Sequence, residues 1–383
     1  MNDIPTTATA RKAGRMHQLL QLGQSVWLDY LRRDMLRSGQ LEALIERGLR
    51  GMTSNPSIFE KAIGEHTDYD DALRDMGAGL SDIEVFERLA VADVQGAADQ
   101  LRQVYDDSDG ADGFVSLEVS PGLARDTDGT IEEARRLWKW VDRPNVMIKI
   151  PGTERGWPAI EHSLAAGINV NITLLFSVEH HREVAEAYMR ALEQRLGRDL
   201  PINRIASVAS FFVSRVDSII EKRLQGRESD LRRFAGKVGI ANARLAYALF
   251  EELTGSDRWR ALADSGARVQ RPLWASTGTK NPRFSDVLYV DSLIGPDTIN
   301  TLPPETLAAF EQHGTVAETL TGHARESQDL MDALEDAGVS FADIARVLED
   351  EGIATFAKAY DGLLDVIAKK RRELTAATNA KPD

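Results

Sequence analysis

The sequence predicts an α/β protein folded as a (β/α)8 TIM barrel with additional C-terminal helices. Three observations carry that expectation: eight short apolar segments, longer amphipathic segments between them, and polar residues that recur at the ends of the apolar ones. Strands that alternate with helices build a parallel sheet, and eight of them close a barrel.

SVWLD at 25–29, GMTSN at 51–55, FVSLEV at 114–119 and NVMIKI at 145–150 are the first four strands. NVNITLLF at 169–176, RIASVASFF at 204–212, PLWAST at 272–277 and DVLYVDSLI at 286–294 complete the set. Apolar residues three and four apart mark helices over 81–105, 131–142, 178–196, 214–224 and 231–253. After the last strand, 304–312, 317–336 and 340–374 are helical in pattern and are expected to pack outside the barrel or edge the site. The KKRR run at 369–372 reads as a solvated helix end, where cations complement the helix dipole. A length of 383 residues allows two domains or one large barrel. With no Pro- or Gly-rich linker and no repeat, residues 1–383 are expected to form a single domain, the barrel at approximately 24–312 and the additional helices at approximately 317–374.

A net charge of −14 without a concentrated basic patch argues against nucleic acid and anionic membranes as partners. The absence of cysteine excludes thiol nucleophiles and cysteine-ligated metals. Residues 1–23 carry Arg11, Lys12 and Arg15 but no apolar segment long enough for the core of a signal peptide. No apolar run reaches the ~18 residues that span a bilayer. The expected location is cytoplasmic, and the chain is compatible with a homodimer.

Successive side chains of a strand point to opposite faces, and a barrel strand has one face inside and one against the helices. In the fourth strand Val146, Ile148 and Ile150 oppose Asn145, Met147 and Lys149. In the third, Val115, Leu117 and Val119 oppose Ser116 and Glu118; in the fifth, Val170, Ile172 and Leu174 oppose Asn169, Asn171 and Thr173. Asp29 ends the first strand, Asn55 ends the second, and Ser210 and Ser276 lie late in the sixth and seventh. These are C-terminal strand ends, where barrel active sites are built.

A lone lysine near a strand end ordinarily reaches solvent. Lys149 instead shares its expected face with Asp29, Asn55, Glu118, Asn171, Thr173 and Ser210, and burying such a set without function is costly. Asp29 and Glu118 need partners, which a nearby ammonium supplies. Asn55 also fits a helix cap, since Asn-Pro pairs commonly start turns. On parity alone, Thr173 and Ser210 fit equally well as small barrel-filling residues. His180 and His181 are adjacent, so they cannot share one helix face as metal ligands and read as helix surface. GTERG at 152–156 lacks the ending of a phosphate-binding loop.

Five segments, in barrel order, resemble the transaldolase family, in its longer bacterial branch within the class I Schiff-base aldolases. They are GMTSNPSIFEKAI at 51–63, VSLEVSP at 115–121, VMIKIPGTERGWPAI at 146–160, NVNITLLFS at 169–177 and WASTGTKNPRFSDVLYVDSLIGPDTINTLP at 274–303. The resemblance runs from about Asp29 to about Pro304. It implies that Lys149 forms a Schiff base, that Asp29 is the acid/base group, and that Glu118 with Thr173 positions a water. It also implies that Asn55, Asn171 and Ser210 hold the bound ketose and that Arg215 and Ser276 bind its phosphate. Many members carry an arginine shortly after the position of Ser276, where this chain offers Lys280 and Arg283; the TKNP string favours Lys280, whose ammonium can meet phosphate as a point charge. The implied activity moves a dihydroxyacetone unit from sedoheptulose 7-phosphate to glyceraldehyde 3-phosphate, giving erythrose 4-phosphate and fructose 6-phosphate, in the non-oxidative pentose phosphate pathway. No cofactor and no metal are implied.

The chemistry stands beside the resemblance. Cleaving a carbon–carbon bond next to a hydroxyl leaves electrons on the adjacent carbon, and a protonated imine formed by lysine is the sink for them. A carboxylate placed at the C4 hydroxyl accepts its proton, the role expected of Asp29. Two other readings remain open at this point. An aldolase would cleave without transferring the fragment, and a non-catalytic sugar-phosphate barrel would have no need of Lys149, Asp29 and Glu118 together.

Overall fold

A computed structural model describes residues 14–76 and 79–379; Arg11 and Lys12 lie outside the described residues. Eight parallel strands close into a barrel in chain order. They are β1 Gln24–Asp29, β2 Leu49–Thr53, β3 Phe114–Glu118, β4 Val146–Pro151, β5 Val170–Leu175, β6 Ser207–Phe212, β7 Arg271–Ala275 and β8 Thr298–Leu302. β8 pairs with β1, so no strand edge is left open.

Seven strands fall where the sequence puts them, to within a few residues. The eighth does not. Residues 286–294 hold a short helix, Leu288–Asp291, and the strand is TINTL. Val287, Val290, Leu293 and Ile294 are buried there at a spacing that serves a helical turn. TINTL carries three polar residues in five, which hides it from a search for apolar segments.

Alternation organises the core. Val115, Leu117, Val119, Val146, Ile148, Ile150, Val170 and Ile172 join one apolar cluster with the surrounding helices, whereas Trp27, Phe114, Met147, Leu273 and Ile299 belong to a second, inside the barrel. Gly51 sits opposite Trp27 in the β1–β2 register, and a Cβ there would lie 2.5 Å from the indole, so only glycine admits the ring. At the N-terminal end of the strands, Asp112 closes the barrel floor. Its carboxylate accepts from Trp27 Nε1 at 2.8 Å and from the Ser25 hydroxyl, and it pairs with Arg271 at 3.4 Å.

The expected parity breaks at Leu174. Its φ is +61°, and the β5–β6 register shifts between Ile172 and Leu175. This bulge turns Leu174 away from the helix side, into the cluster of Phe176, Phe212 and Phe356, while Leu175 takes the outward place.

The C-terminal helix, Phe341–Asn379, is the longest element. It approaches the helix Pro56–Glu65 closely, since a Cβ on Gly362 would lie 2.7 Å from Glu60. Ion pairs fasten it along its length: Arg125 to Asp350, His180 to Glu349 at 3.2 Å, Lys370 to Asp70 at 2.9 Å, and Arg371 to Asp82. Two expectations are thereby corrected. Within KKRR, Lys370 and Arg371 are half-buried ties to acidic segments beneath them rather than part of a solvated end. The adjacent histidines are not both surface either: His180 bonds the C-terminal helix, while His181 is buried and desolvation pushes its imidazole down to about 4. Among the described residues, no helix is long and apolar enough to cross a membrane.

Candidate active site

Ladder register lines up the centre of the site. Glu118 of β3 is the partner of Lys149 of β4, and Lys149 is the partner of Asn171 of β5, so the three stand in one row across adjacent strands. Lys149 is 5% exposed. Its Nζ lies 3.2 Å from Glu118 Oε2 and donates to the Ser54 carbonyl at 3.3 Å. The Glu118 side chain is buried, and its Oε1 has no hydrogen-bond partner in the protein. Burial pushes the Glu118 carboxyl above its ordinary value, Lys149 pulls it back, and Asp29 adds to the rise.

Asp29 ends β1. Its Oδ1 accepts from the Thr53 hydroxyl at 2.7 Å, and Thr53 meets Thr301 at 2.8 Å. Desolvation raises the Asp29 carboxyl; Lys149 and the Thr53 hydrogen bond oppose the rise. Asn171 is fully buried and committed on both ends, accepting from Ser210 at 2.6 Å and donating to Ser116 at 2.8 Å. Thr173 is equally buried, yet its Oγ1 has no partner in the protein.

A cavity of about 480 Å³ opens at the C-terminal end of the strands. Asp29, Asn55, Lys149, Thr173, Ser210, Arg215, Ser276 and Lys280 line it together. Glu118 and Asn171 do not reach its wall; they stand behind Lys149 and Ser210. Asn55 lies beyond the end of β2 as the N-cap of Pro56–Glu65, its side-chain oxygen accepting from Ile58 N at 3.1 Å. The cap consumes that oxygen and leaves the amide NH2 to face a ligand.

The far end of the cavity is cationic. Arg215 lies in the first turn of the helix Ser214–Arg223, its guanidinium stacked 5.3 Å from the Phe212 ring. Desolvation lowers its basicity, against the pull of Asp29 and Glu351. Ser276 follows β7 in a left-handed turn with φ +54°, and its hydroxyl meets that of Ser214 at 3.0 Å. Burial of the Lys280 ammonium and the neighbouring Arg215 both hold it below the ordinary lysine range. Arg283 is outside the cavity, its backbone N held by Asn281 at 3.0 Å. Two cations beside a helix N-terminus suit an anionic group.

A protein-family model described as Transaldolase/Fructose-6-phosphate aldolase matches residues 26–367. The chain belongs to the transaldolase/fructose-6-phosphate aldolase family. A curated transaldolase of Thermobifida fusca is 51% identical over 93% of this chain and 98% of the relative. A transaldolase of Mycolicibacterium smegmatis is 51% identical over 90% of this chain and 94% of the relative. One called transaldolase 2, from Nostoc, is 46% identical over 94% and 98%.

In this member of the transaldolase/fructose-6-phosphate aldolase family, the cavity also contains residues that sequence reasoning missed. Thr53, Phe212, Thr301, Glu305 and Phe356 line it. Thr53 precedes Ser54 in a quoted motif, and parity would have placed it beside Asp29. Thr301 belongs to the misplaced eighth strand. Phe356 lies in the C-terminal helix, beyond every recognised motif, and its ring centroid is 5.4 Å from Lys149 Nζ. No local signal marks it.

Proposed function

We propose that this chain carries out the transaldolase reaction through a Schiff base on Lys149, moving a dihydroxyacetone unit from sedoheptulose 7-phosphate to glyceraldehyde 3-phosphate. The observation that carries the reading is the buried Lys149 amine, set between Glu118 and the mouth cavity, with cations at the cavity's far end. Arg215, Lys280 and the Ser276 hydroxyl take the substrate phosphate, which directs the ketose carbonyl toward Lys149. Asn55 and Ser210 bond its hydroxyls, and Asn171 orients Ser210 from behind.

Attack by the neutral amine on the carbonyl gives a carbinolamine, whose hydroxyl leaves as water after protonation. Glu118 stands in register with Lys149 and Thr173 lies two residues beyond Asn171 on β5, opposite Pro151; their unpartnered oxygens supply the hydrogen bonds that hold this water. Asp29 then takes the proton of the C4 hydroxyl. The C3–C4 bond breaks, the electrons pass into the iminium, and an aldose phosphate departs. The raised carboxyl of Asp29 makes it a stronger base once ionised, and it returns the proton to the acceptor's oxygen when the new bond forms.

The barrel and the C-terminal helix act as one domain in this reading, because Phe356 completes the cavity wall. All the groups named come from a single chain, so a homodimer is not required for chemistry. An acidic chain that sets Arg215 and Lys280 in the wall of its cavity fits a cytoplasmic sugar-phosphate enzyme. The test is borohydride reduction in the presence of fructose 6-phosphate: a three-carbon adduct is expected on the peptide containing Lys149. Labelling elsewhere, or none, defeats the reading.

A further inference from the structure

Phe356 brings an aromatic face to the nucleophile from the far end of the sequence. The ring is 6% exposed and lines the cavity, its centroid 5.4 Å from Lys149 Nζ and 5.9 Å from Arg215 Cζ. Its own helix holds it in place on both sides. One turn earlier, a Cβ on Gly352 would lie 2.9 Å from Leu174 Cδ2, so the helix descends directly onto the left-handed bulge that follows Thr173. One turn later, Tyr360 packs edge-on to Phe86 at 5.6 Å. Gly352, Phe356 and Tyr360 form one stripe at four-residue spacing, pressed onto the barrel mouth.

We infer that Phe356 is a specificity-determining residue that sets whether the three-carbon fragment on Lys149 is transferred or released; the inference rests on the Schiff-base reading above. After cleavage the fragment is an enamine on Nζ. In transfer, its nucleophilic carbon attacks the acceptor's aldehyde carbon, a carbon–carbon bond forms, and the aldehyde oxygen takes a proton. In release, the same carbon takes a proton first, water adds to the iminium carbon, and breakage of the carbon–nitrogen bond frees dihydroxyacetone and the Lys149 amine. The second course needs water and a proton donor at the fragment before an acceptor arrives. A ring packed over the nitrogen occupies the volume that water would fill. The same face attracts the Arg215 guanidinium, so the nucleophile and the phosphate-binding cation are both set against one rigid surface.

The experiment uses the full chain with fructose 6-phosphate as donor. Two quantities are read: the borohydride adduct on the Lys149 peptide, and the ratio of dihydroxyacetone released to fragment transferred onto erythrose 4-phosphate. In Phe356→Ala the adduct still forms, and the release-to-transfer ratio rises roughly tenfold, the change expected from a barrier difference of ~1.4 kcal/mol. Phe356→Leu gives a smaller rise, and Phe356→Tyr, which keeps the ring, restores the wild-type ratio. The two conservative variants decide the matter if the alanine variant fails to fold. An unchanged ratio with the adduct intact, or a fall in total rate at constant ratio, overturns the inference. A wild-type chain that forms no adduct defeats the Schiff-base reading instead.

Discussion

The barrel contains a buried ion pair at each end, and the two are built to opposite specifications. At the floor, both oxygens of Asp112 receive donors, from Trp27, Ser25 and Arg271. At the mouth, Glu118 has Lys149 alone, and its Oε1 and the hydroxyl of Thr173 find no partner in the protein. The Asp112 carboxylate is satisfied and holds structure, although Arg271 Nε finds no partner in the protein. On the Schiff-base reading proposed above, the mouth pair keeps bonding capacity in reserve for groups that arrive with substrate; desolvation raises both mouth carboxyls, Asp29 and Glu118.

Four measurements break or sharpen that contrast. Lys149→Met is expected to lower the transfer rate by on the order of 10⁴-fold or more, as loss of a covalent nucleophile does; a steady-state assay with erythrose 4-phosphate as acceptor checks it. Replacing each pair by apolar residues should move stability in opposite directions. Asp112→Leu with Arg271→Met strands the Trp27 and Ser25 donors and is expected to lower unfolding free energy by about 2–5 kcal/mol. Lys149→Met with Glu118→Leu removes a poorly satisfied pair and is expected to be neutral or to stabilise by about 1–4 kcal/mol. Denaturant titration of the two double variants decides, and equal losses would erase the distinction between the ends.

Asp29→Asn is expected to reduce kcat by roughly 10²–10⁴-fold. The wild-type pH–rate profile carries the same information. The base must be ionised, so the rate falls as pH drops through the folded-state value of Asp29, which lies above the ordinary carboxylate position. The acid limb should therefore appear above pH ~4, and Asp29→Asn should abolish it.

The smallest effect concerns neither pair but the helix that covers the mouth. The hydrogen bond to Glu349 raises the basicity of His180 above its ordinary value. A raised histidine contributes stability in full below its unfolded value and loses it as pH rises through the folded one. Because both side chains are partly exposed, the contribution is expected to stay under ~1 kcal/mol. His180→Gln should flatten the pH dependence of thermal stability above pH ~6.5.

Much of the site was legible because a barrel strand writes its inside and outside alternately. Lys149, Glu118 and Asn171 could be assigned to one face from β3, β4 and β5 alone. Parity describes regular strands, however, and a left-handed residue such as Leu174 reverses it without any sign in composition. The eighth strand was misplaced because its neighbour, DVLYVDSLI, is more apolar than the strand itself. The contribution of Phe356 was illegible for another reason. Helical spacing shows that a face is apolar but not what lies opposite, and here the partners are an ammonium and a guanidinium remote in sequence. The ties of Lys370 and Arg371 were missed in the same way, since a charge run gives no hint of the acidic segments it will meet.

The row of Glu118, Lys149 and Asn171 has a consequence for how this chain can vary. Adjacent residues in a row are separated by the spacing of hydrogen-bonded strands, about 4.8 Å. The position of Lys149 relative to Glu118 is thus a dimension of the backbone rather than an achievement of side-chain fitting. Loops, surface helices and even the phosphate end can drift over generations without disturbing it. A slip of one residue between β3 and β4 would place the pair on opposite faces of the wall at a single step. The centre of this site therefore tolerates gradual change around it and admits no intermediate version of itself.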